Sequence, residues 1–487
     1  MVLCTVNHPH KYELENICRL FFPFERINTF DGATCAPDGE MTAVTVCETG
    51  AAGERLLVRF SSGDYSREAE DSCPLGDTAE RERLLAVLLF DILCEFTGMR
   101  PAWGILTGVR PAKLMRRMLR DFGADGAREY FEQKLLCLPE KVSLCMTAAE
   151  CEERIVEHSG ERDFSLYFAI PFCPTRCSYC SFVSHSVEKS MKLVAEYVNL
   201  LCDELAVTGR IARELGLNLS TVYVGGGTPT TLSTEQITAV MGAVRDNFDL
   251  ANSTEYTVEA GRPDTITPEK LMAIKSGGAT RISINPQTLN DSVLAAVGRR
   301  HSTEQTVAAF AMAREAGFDN INMDLIAGLP TDTLESFVNS VEGVLALDPE
   351  SITVHTLSMK RSSRLTTGGI LPDAEQGRLA GAMLGEAARR LSGGYVPYYL
   401  YRQSKTVGNH ENTGYAKVGC ECLYNIFMMD ETHTVLACGA SGVTKLKRDE
   451  NTIERIFNYK YPYEYISRYD EILRRKQGIF DFYGKGK

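Results

Sequence analysis

From Phe164 onward, short apolar runs alternate with longer stretches whose apolar positions recur every three or four residues. The runs Phe164–Ala169, Thr221–Val224, Tyr256–Glu259, Thr280–Ile284, Ile321–Leu325 and Ile352–His355 predict strands. Between them, Leu193, Val194, Tyr197, Leu200, Leu201 and Leu205 form one helical stripe, and Ile237, Val240, Met241, Val244 and Phe248 form another. Thr303–Ala316 and Leu334–Leu347 predict two further helices. Such alternation predicts parallel strands joined by crossover helices. Six units suit a partial, TIM-like (β/α)6 barrel better than a closed eight-stranded one. The shared period is that of the βα unit and not of a solenoid.

Residues 1–160 are patterned differently. Val2–Val6, Met41–Cys47 and Leu56–Phe60 predict strands, and Thr78–Gly98 predicts a helix with a broad apolar face. Trp103–Lys113 holds Gly108, Arg110, Pro111 and Lys113, which reads as a linker turn before a helix at Ala112–Leu119, with an anion grip as the alternative. The expected organisation is α/β overall. It has an N-terminal α+β accessory domain over 1–160, the barrel over 161–370, and a C-terminal α+β extension over 371–487.

Charge and composition narrow the classes. The 487 residues carry a formal net charge of -12, which argues against a bulk nucleic-acid binder. No apolar run reaches membrane-spanning length, and the N-terminus lacks the pattern of a secretory signal. Sixteen cysteines are scattered without an export signal, so reduced thiols in a cytoplasmic, low-oxygen setting are expected. Cys420 and Cys422 form a CxC, read as a strand with alternating faces.

One stretch stands apart: Ile170-Pro-Phe-Cys-Pro-Thr-Arg-Cys-Ser-Tyr-Cys-Ser-Phe182. Cys173, Cys177 and Cys180 have a CxxxCxxC spacing. Cys177 and Cys180 can face one point from a tight turn, and Cys173 joins them if the loop wraps. Three thiolates hold three corners of a four-iron, four-sulfur cluster and leave the fourth iron open for a substrate or cofactor. A zinc knuckle and buried structural thiols are the alternatives; zinc usually takes four protein ligands in two pairs.

The other unusual residues fall at the ends of different predicted strands. Gly225-Gly-Gly-Thr-Pro229 follows the second, Glu259 closes the third, Gln287 and Arg299 follow the fourth, Asp324 ends the fifth and His355 the sixth. The active site of a parallel barrel forms at this C-terminal rim. Glycines let backbone approach a ligand closely, and Arg299 offers a two-point grip on a carboxylate, with Arg300 as its rival. Glu259 and Asp324 read either as ligand contacts or as barrel-end ion pairs.

The cysteine stretch resembles the signature of the radical S-adenosylmethionine (SAM) enzymes. Its flank Tyr167-Phe-Ala-Ile-Pro-Phe-Cys173 is similar to the branch containing oxygen-independent coproporphyrinogen III oxidase. The long N-terminal part, the CPTRCSYCSF core and Pro397–Arg402 look closest to HemZ-type coproporphyrinogen dehydrogenases. The resemblance implies a [4Fe–4S] cluster on Cys173, Cys177 and Cys180. It implies contacts to one or two SAM molecules from Tyr167, Tyr179, Gly226, Gly227, Thr228, Glu259, Gln287, Arg299 and Asp324, with Tyr167 also catalytic. Two departures stand out: Phe182 replaces a further cysteine of the well-known oxidases, and Ala169 replaces a histidine.

The activity implied is oxidative decarboxylation of coproporphyrinogen III to protoporphyrinogen IX, fed by an electron donor such as a flavodoxin or ferredoxin. The alternatives are a haem-insertion factor using His355, His410 or His433 as axial ligand, and another radical modification of a tetrapyrrole. Arg299 and Arg402 are candidate propionate partners.

Overall fold

The computed structural model describes residues 1–32, 41–51, 53–180, 185–360, 363–369, 371–449 and 452–484, with the side chains of 185–189 excepted. The chain forms two compact units. One comprises 1–146, 371–378 and 402–411; the other comprises 147–370, 379–401 and 412–487.

The first unit is built on a five-stranded sheet, ordered Asn28–Asp31, Val2–Val6, Thr42–Gly50, Gly53–Ser62, Tyr65–Cys73. The first two pairings are parallel and the others antiparallel. Leu56, Val58 and Phe60 are fully buried while Arg55 and Arg59 point outward to Glu70 and Glu68, the alternation of a half-buried strand. The helix Thr78–Thr97 covers the sheet and stops at Gly98, whose left-handed backbone (φ 64°) forms its C-cap.

The Trp103–Lys113 stretch is anchored in this unit by its buried start, Trp103 to Leu106. Trp103 is almost fully buried, and its indole N–H donates to Glu411 Oε2 at 2.8 Å. Lys141 Nζ pairs with Glu411 Oε1 at 2.6 Å. Burial would raise the Glu411 pKa, but Lys141, His410 and the Trp103 hydrogen bond together outweigh it and hold the carboxyl at about 2. Arg402 lies over the Trp103 ring and donates to the carbonyls of Leu106 and Asn409. Its guanidinium is therefore committed to the protein interior, which corrects its reading as a propionate partner.

The second unit holds the barrel strands. Six run parallel in chain order: Asp163–Ile170, Asn218–Gly226, Glu255–Glu259, Arg281–Ser283, Ile321–Ala327 and Ser351–Thr356. This is the (β/α)6 half-barrel order. Phe168, Ile170, Val224 and Val258 line one apolar pocket together with Ile237, Val240 and Met241 of the helix Thr234–Asn247. That helix opens with a reciprocal capping box between Ser233 and Gln236.

Two edges were not legible in the pattern. Thr434–Cys438 lies parallel to the first barrel strand, and Glu411–Ala416 lies antiparallel to the sixth. The CxC is not a strand. Cys420 sits in a turn, and Cys422 is the N-cap of the helix Leu423–Asp430. The Glu255 carboxylate accepts from the Leu423 and Tyr424 amides at 2.7 and 3.3 Å, satisfying two of that helix's otherwise orphaned donors. Apart from Cys4, which is disulfide-bonded, the described cysteines carry thiols.

The inward faces of the barrel strands are polar and hydrogen-bonded. Ser165 meets Thr221 at 2.7 Å, and Asn322 donates to Ser283 at 2.8 Å and accepts from Ser351 and Thr353 at 3.1 Å. Buried polar groups satisfied in this way add rigidity instead of cost.

Candidate active site at the barrel rim

The first barrel strand ends at Ile170, and the cysteine loop follows. The Gly227 and Thr228 amides donate to the carbonyls of Ile170 and Phe172, each at 2.8 Å, so the second strand's glycine turn clamps the loop's base. A Cβ at Gly227 would meet Phe172 O at 2.6 Å and Ile170 O at 2.8 Å, and Gly226 has φ 104°. These two positions therefore require glycine. The Thr228 hydroxyl donates to Cys173 Sγ at 3.3 Å. From the far side, the Ser178 amide donates to Val297 O at 3.0 Å, and Thr175 Oγ1 to Gly298 O at 3.1 Å.

Arg299 braces the same loop. Its Nε donates to Tyr179 Oη at 3.1 Å, and its Nη1 to Asn285 O and Gly261 O at 2.7 and 3.1 Å. Arg300 is exposed. Burial pushes the Tyr179 phenol well above its usual range.

Deeper in the rim, Glu259 accepts from Tyr223 Oη at 2.7 Å. Burial raises its pKa to about 7; the Tyr223 bond opposes this and the Asp324 charge adds to it. Burial acts on Asp324 in the same direction, but His355, 3.6 Å from its Oδ2, and Asn322, 2.7 Å from its Oδ1, outweigh it and lower its pKa. The two carboxyls are thus held apart in protonation. Gln287 adopts φ 72°; its amide donates to Asp324 O and its carbonyl accepts from Ile326 N, both at 2.9 Å. The Gln287 Oε1 atom is buried without a hydrogen-bond partner. Tyr167 is half-buried and stacks on Tyr223 and Tyr424, with ring centroids 6.4 and 6.2 Å away.

Sequence reasoning missed four groups here. Tyr223 holds Glu259, and Asn285 supplies a carbonyl to Arg299. Arg262 donates from Nη1 to Cys177 Sγ at 3.8 Å, and His301 is buried 3.9 Å from Asp264. Arg262 lies three residues beyond the third strand's end, the position from which a rim residue is expected. Phe182 lies outside the described residues. Ala169 is buried and its carbonyl accepts from Tyr197 Oη at 2.7 Å.

Among the described residues, no three His, Cys, Asp or Glu side chains converge as ligands of a single ion would. A cluster, in which each thiolate binds a different iron, does not require such convergence.

The histidine candidates are engaged elsewhere. His433 is buried with Nδ1 on Ser159 at 2.9 Å and Nε2 on Ser165 at 2.7 Å. His355 faces Asp324 with one nitrogen and Tyr401 Oη, 3.5 Å away, with the other. Within the first unit, His410 Nε2 meets Gly377 O at 3.0 Å.

Residues 167–343 match the model of the radical SAM superfamily. The chain is 36% identical over 407 residues to the oxygen-independent coproporphyrinogen-III oxidase-like protein HemZ of Bacillus subtilis, covering 82% of this chain and 81% of that protein. This chain belongs to the radical SAM family of HemZ-like proteins. It is also 33% identical over 288 residues to the heme chaperone HemW of B. subtilis, covering 57% of this chain and 70% of that one. Among solved structures, the radical SAM coproporphyrinogen III oxidase HemN of Escherichia coli aligns with a TM-score of 0.52 and 26% identity, over 66% of this chain and 72% of that one.

Radical SAM proteins use a [4Fe–4S] cluster and SAM. The residues present fit both. Three thiols share one loop, the Gly227 turn brings bare backbone against that loop, and Gln287 Oε1 is a buried acceptor without a hydrogen-bond partner.

Proposed function

We propose that the chain oxidatively decarboxylates coproporphyrinogen III to protoporphyrinogen IX without oxygen, in a cytoplasmic setting and with electrons from a flavodoxin- or ferredoxin-like donor. The observation that best supports this reading is the gathering of the cysteine loop, the glycine turn, Glu259, Gln287 and Asp324 at one rim of the half-barrel. Membership in a family with coproporphyrinogen-oxidase-like relatives adds to it. No helix of the described residues is long and apolar enough to cross a membrane.

Cys173, Cys177 and Cys180 would hold the cluster through three irons. When bound, the cluster and SAM together supply a radical strong enough to remove hydrogen from an unactivated carbon. The protein's own work is placement. Gly226, Gly227 and Thr228 present backbone to the cofactor's polar end, and Glu259, Gln287 and Asp324 accept its hydroxyl and ammonium donors. Arg299 and Tyr179 fix the loop, and Tyr167 with Tyr223 and Tyr424 fills the space beneath with aromatic surface that excludes water.

The half-titrated Glu259 gives a pH prediction. Its carboxyl is protonated below about 7 and ionised above, and the ionised form is acceptor-only, whereas the acid turns one oxygen into a donor. SAM affinity should therefore rise about tenfold from pH 6 to pH 8, following the ionised fraction. Calorimetry on the reconstituted protein measures this, and Glu259→Gln should flatten the slope.

The substrate reading is tested anaerobically with reconstituted cluster, reductant, SAM and coproporphyrinogen III. Two vinyl groups per porphyrinogen, formed with consumption of SAM, are expected. Tight haem binding without turnover would overturn the substrate and favour a chaperone like the HemW relative.

A further inference from the structure

Arg262 is 3% exposed. Its guanidinium is divided between two tasks. Nε and Nη2 pair with Asp264 Oδ1 and Oδ2, each at 3.0 Å, in a two-point contact. Nη1 points the other way, to Thr175 Oγ1 at 3.1 Å and Cys177 Sγ at 3.8 Å. Cys177 is itself only 7% exposed, so this charge reaches the sulfur through protein and not through water. The planar fork presents one edge to the carboxylate and a third nitrogen to the sulfur; a lysine could carry its charge to the sulfur but not also hold the carboxylate at two points. Simple anchoring of the loop does not call for this, since Thr175 and Ser178 already fasten it by backbone carbonyls.

A hydrogen bond and a positive charge beside a cluster sulfur stabilise the form carrying one more electron. We propose that Arg262 sets the reduction potential of the cluster through the Cys177 sulfur, with Asp264 and Thr175 as positioning residues. The step is a one-electron reduction: one electron leaves a low-potential flavin or iron–sulfur donor and enters the cluster, with no bond made or broken. Arg262 keeps the reduced form within that donor's reach. The inference rests on Cys177 being a cluster ligand.

The test is an EPR-monitored redox titration of the full chain, reconstituted anaerobically, in three forms. Arg262→Gln should weaken one-electron reduction at least tenfold, a midpoint ~59 mV more negative, at unchanged iron content. Arg262→Lys, which keeps the charge, should stay near the parent. An unmoved midpoint in Arg262→Gln overturns the proposal. If Arg262→Gln holds no iron, Arg262→Lys decides: a parent-like midpoint supports the charge, and a more negative one refutes it. Loss of iron from both variants makes the arginine a structural support and overturns the proposal too. A parent chain that assembles no cluster would instead sink the ligand assignment, a separate failure.

Discussion

Replacing Cys177 by serine should strip the chain of its iron, from about four atoms in a complete cluster to near none, and reduce SAM cleavage to the background of cluster-free protein. A serine hydroxyl stays protonated at neutral pH and is a poor ligand for iron beside soft sulfide. Cys177 is the most buried of the three cysteines at 7% exposure, so no water-borne ligand replaces it easily. The fold should survive, because Cys177 lies in a loop secured elsewhere by Ser178 and Thr175. Iron and sulfide analysis beside far-ultraviolet circular dichroism checks both halves. Retention of a full cluster in the serine variant would remove Cys177 from the ligand set.

The second large effect is on stability. Lys476→Met is expected to cost ~3–5 kcal/mol, the usual result of breaking one side of a buried ion pair. Lys476 is 2% exposed and Glu204 fully buried, with Nζ and Oε1 3.0 Å apart. Burial lowers the Lys476 pKa, but the interactions with Cys438 and Glu204 outweigh it and raise it overall. Glu204 also accepts from the Gly439 amide at 2.7 Å, Tyr465 Oη at 2.6 Å and Asn458 Nδ2 at 2.8 Å. Removing the ammonium leaves a carboxylate without its counter-charge. The double variant Glu204→Gln/Lys476→Met should therefore be less destabilised than the sum of the single variants. Urea unfolding followed in the four forms measures this coupling; strict additivity would show that the pair is not coupled. The knot also reaches the site. Tyr197 Oη accepts from the Ala440 amide at 2.9 Å and donates to Ala169 O, four residues before Cys173.

The barrel could be read from the chain because each unit signals itself locally. Leu334–Leu347 is a helix over the residues its apolar period predicts, and each predicted parallel strand lies at its expected place to within a few residues. Thr434–Cys438 escaped notice because its partner, Phe164–Phe168, is remote in sequence and a five-residue buried run carries no period of its own. The CxC misled because alternation over three residues cannot separate a strand from a turn. Gly419, at φ 85°, and the capping carboxylate of Glu255 decide for the turn.

The same division runs through the site. The cysteines announce themselves by spacing. Arg262 does not, because its sulfur partner lies 85 residues away and an arginine in a sequence looks alike whether it grips a cluster loop or faces water. Arg402 shows the converse: it looks like a substrate cation, and is committed to Trp103 and two carbonyls.

The most direct test is the EPR spectrum of the anaerobically reconstituted, reduced chain before and after SAM is added. A [4Fe–4S] signal whose g-values shift with SAM is the predicted result, since only an iron without a cysteine is open to the cofactor. A chain that takes up no such cluster, or whose signal ignores SAM, would contradict the account.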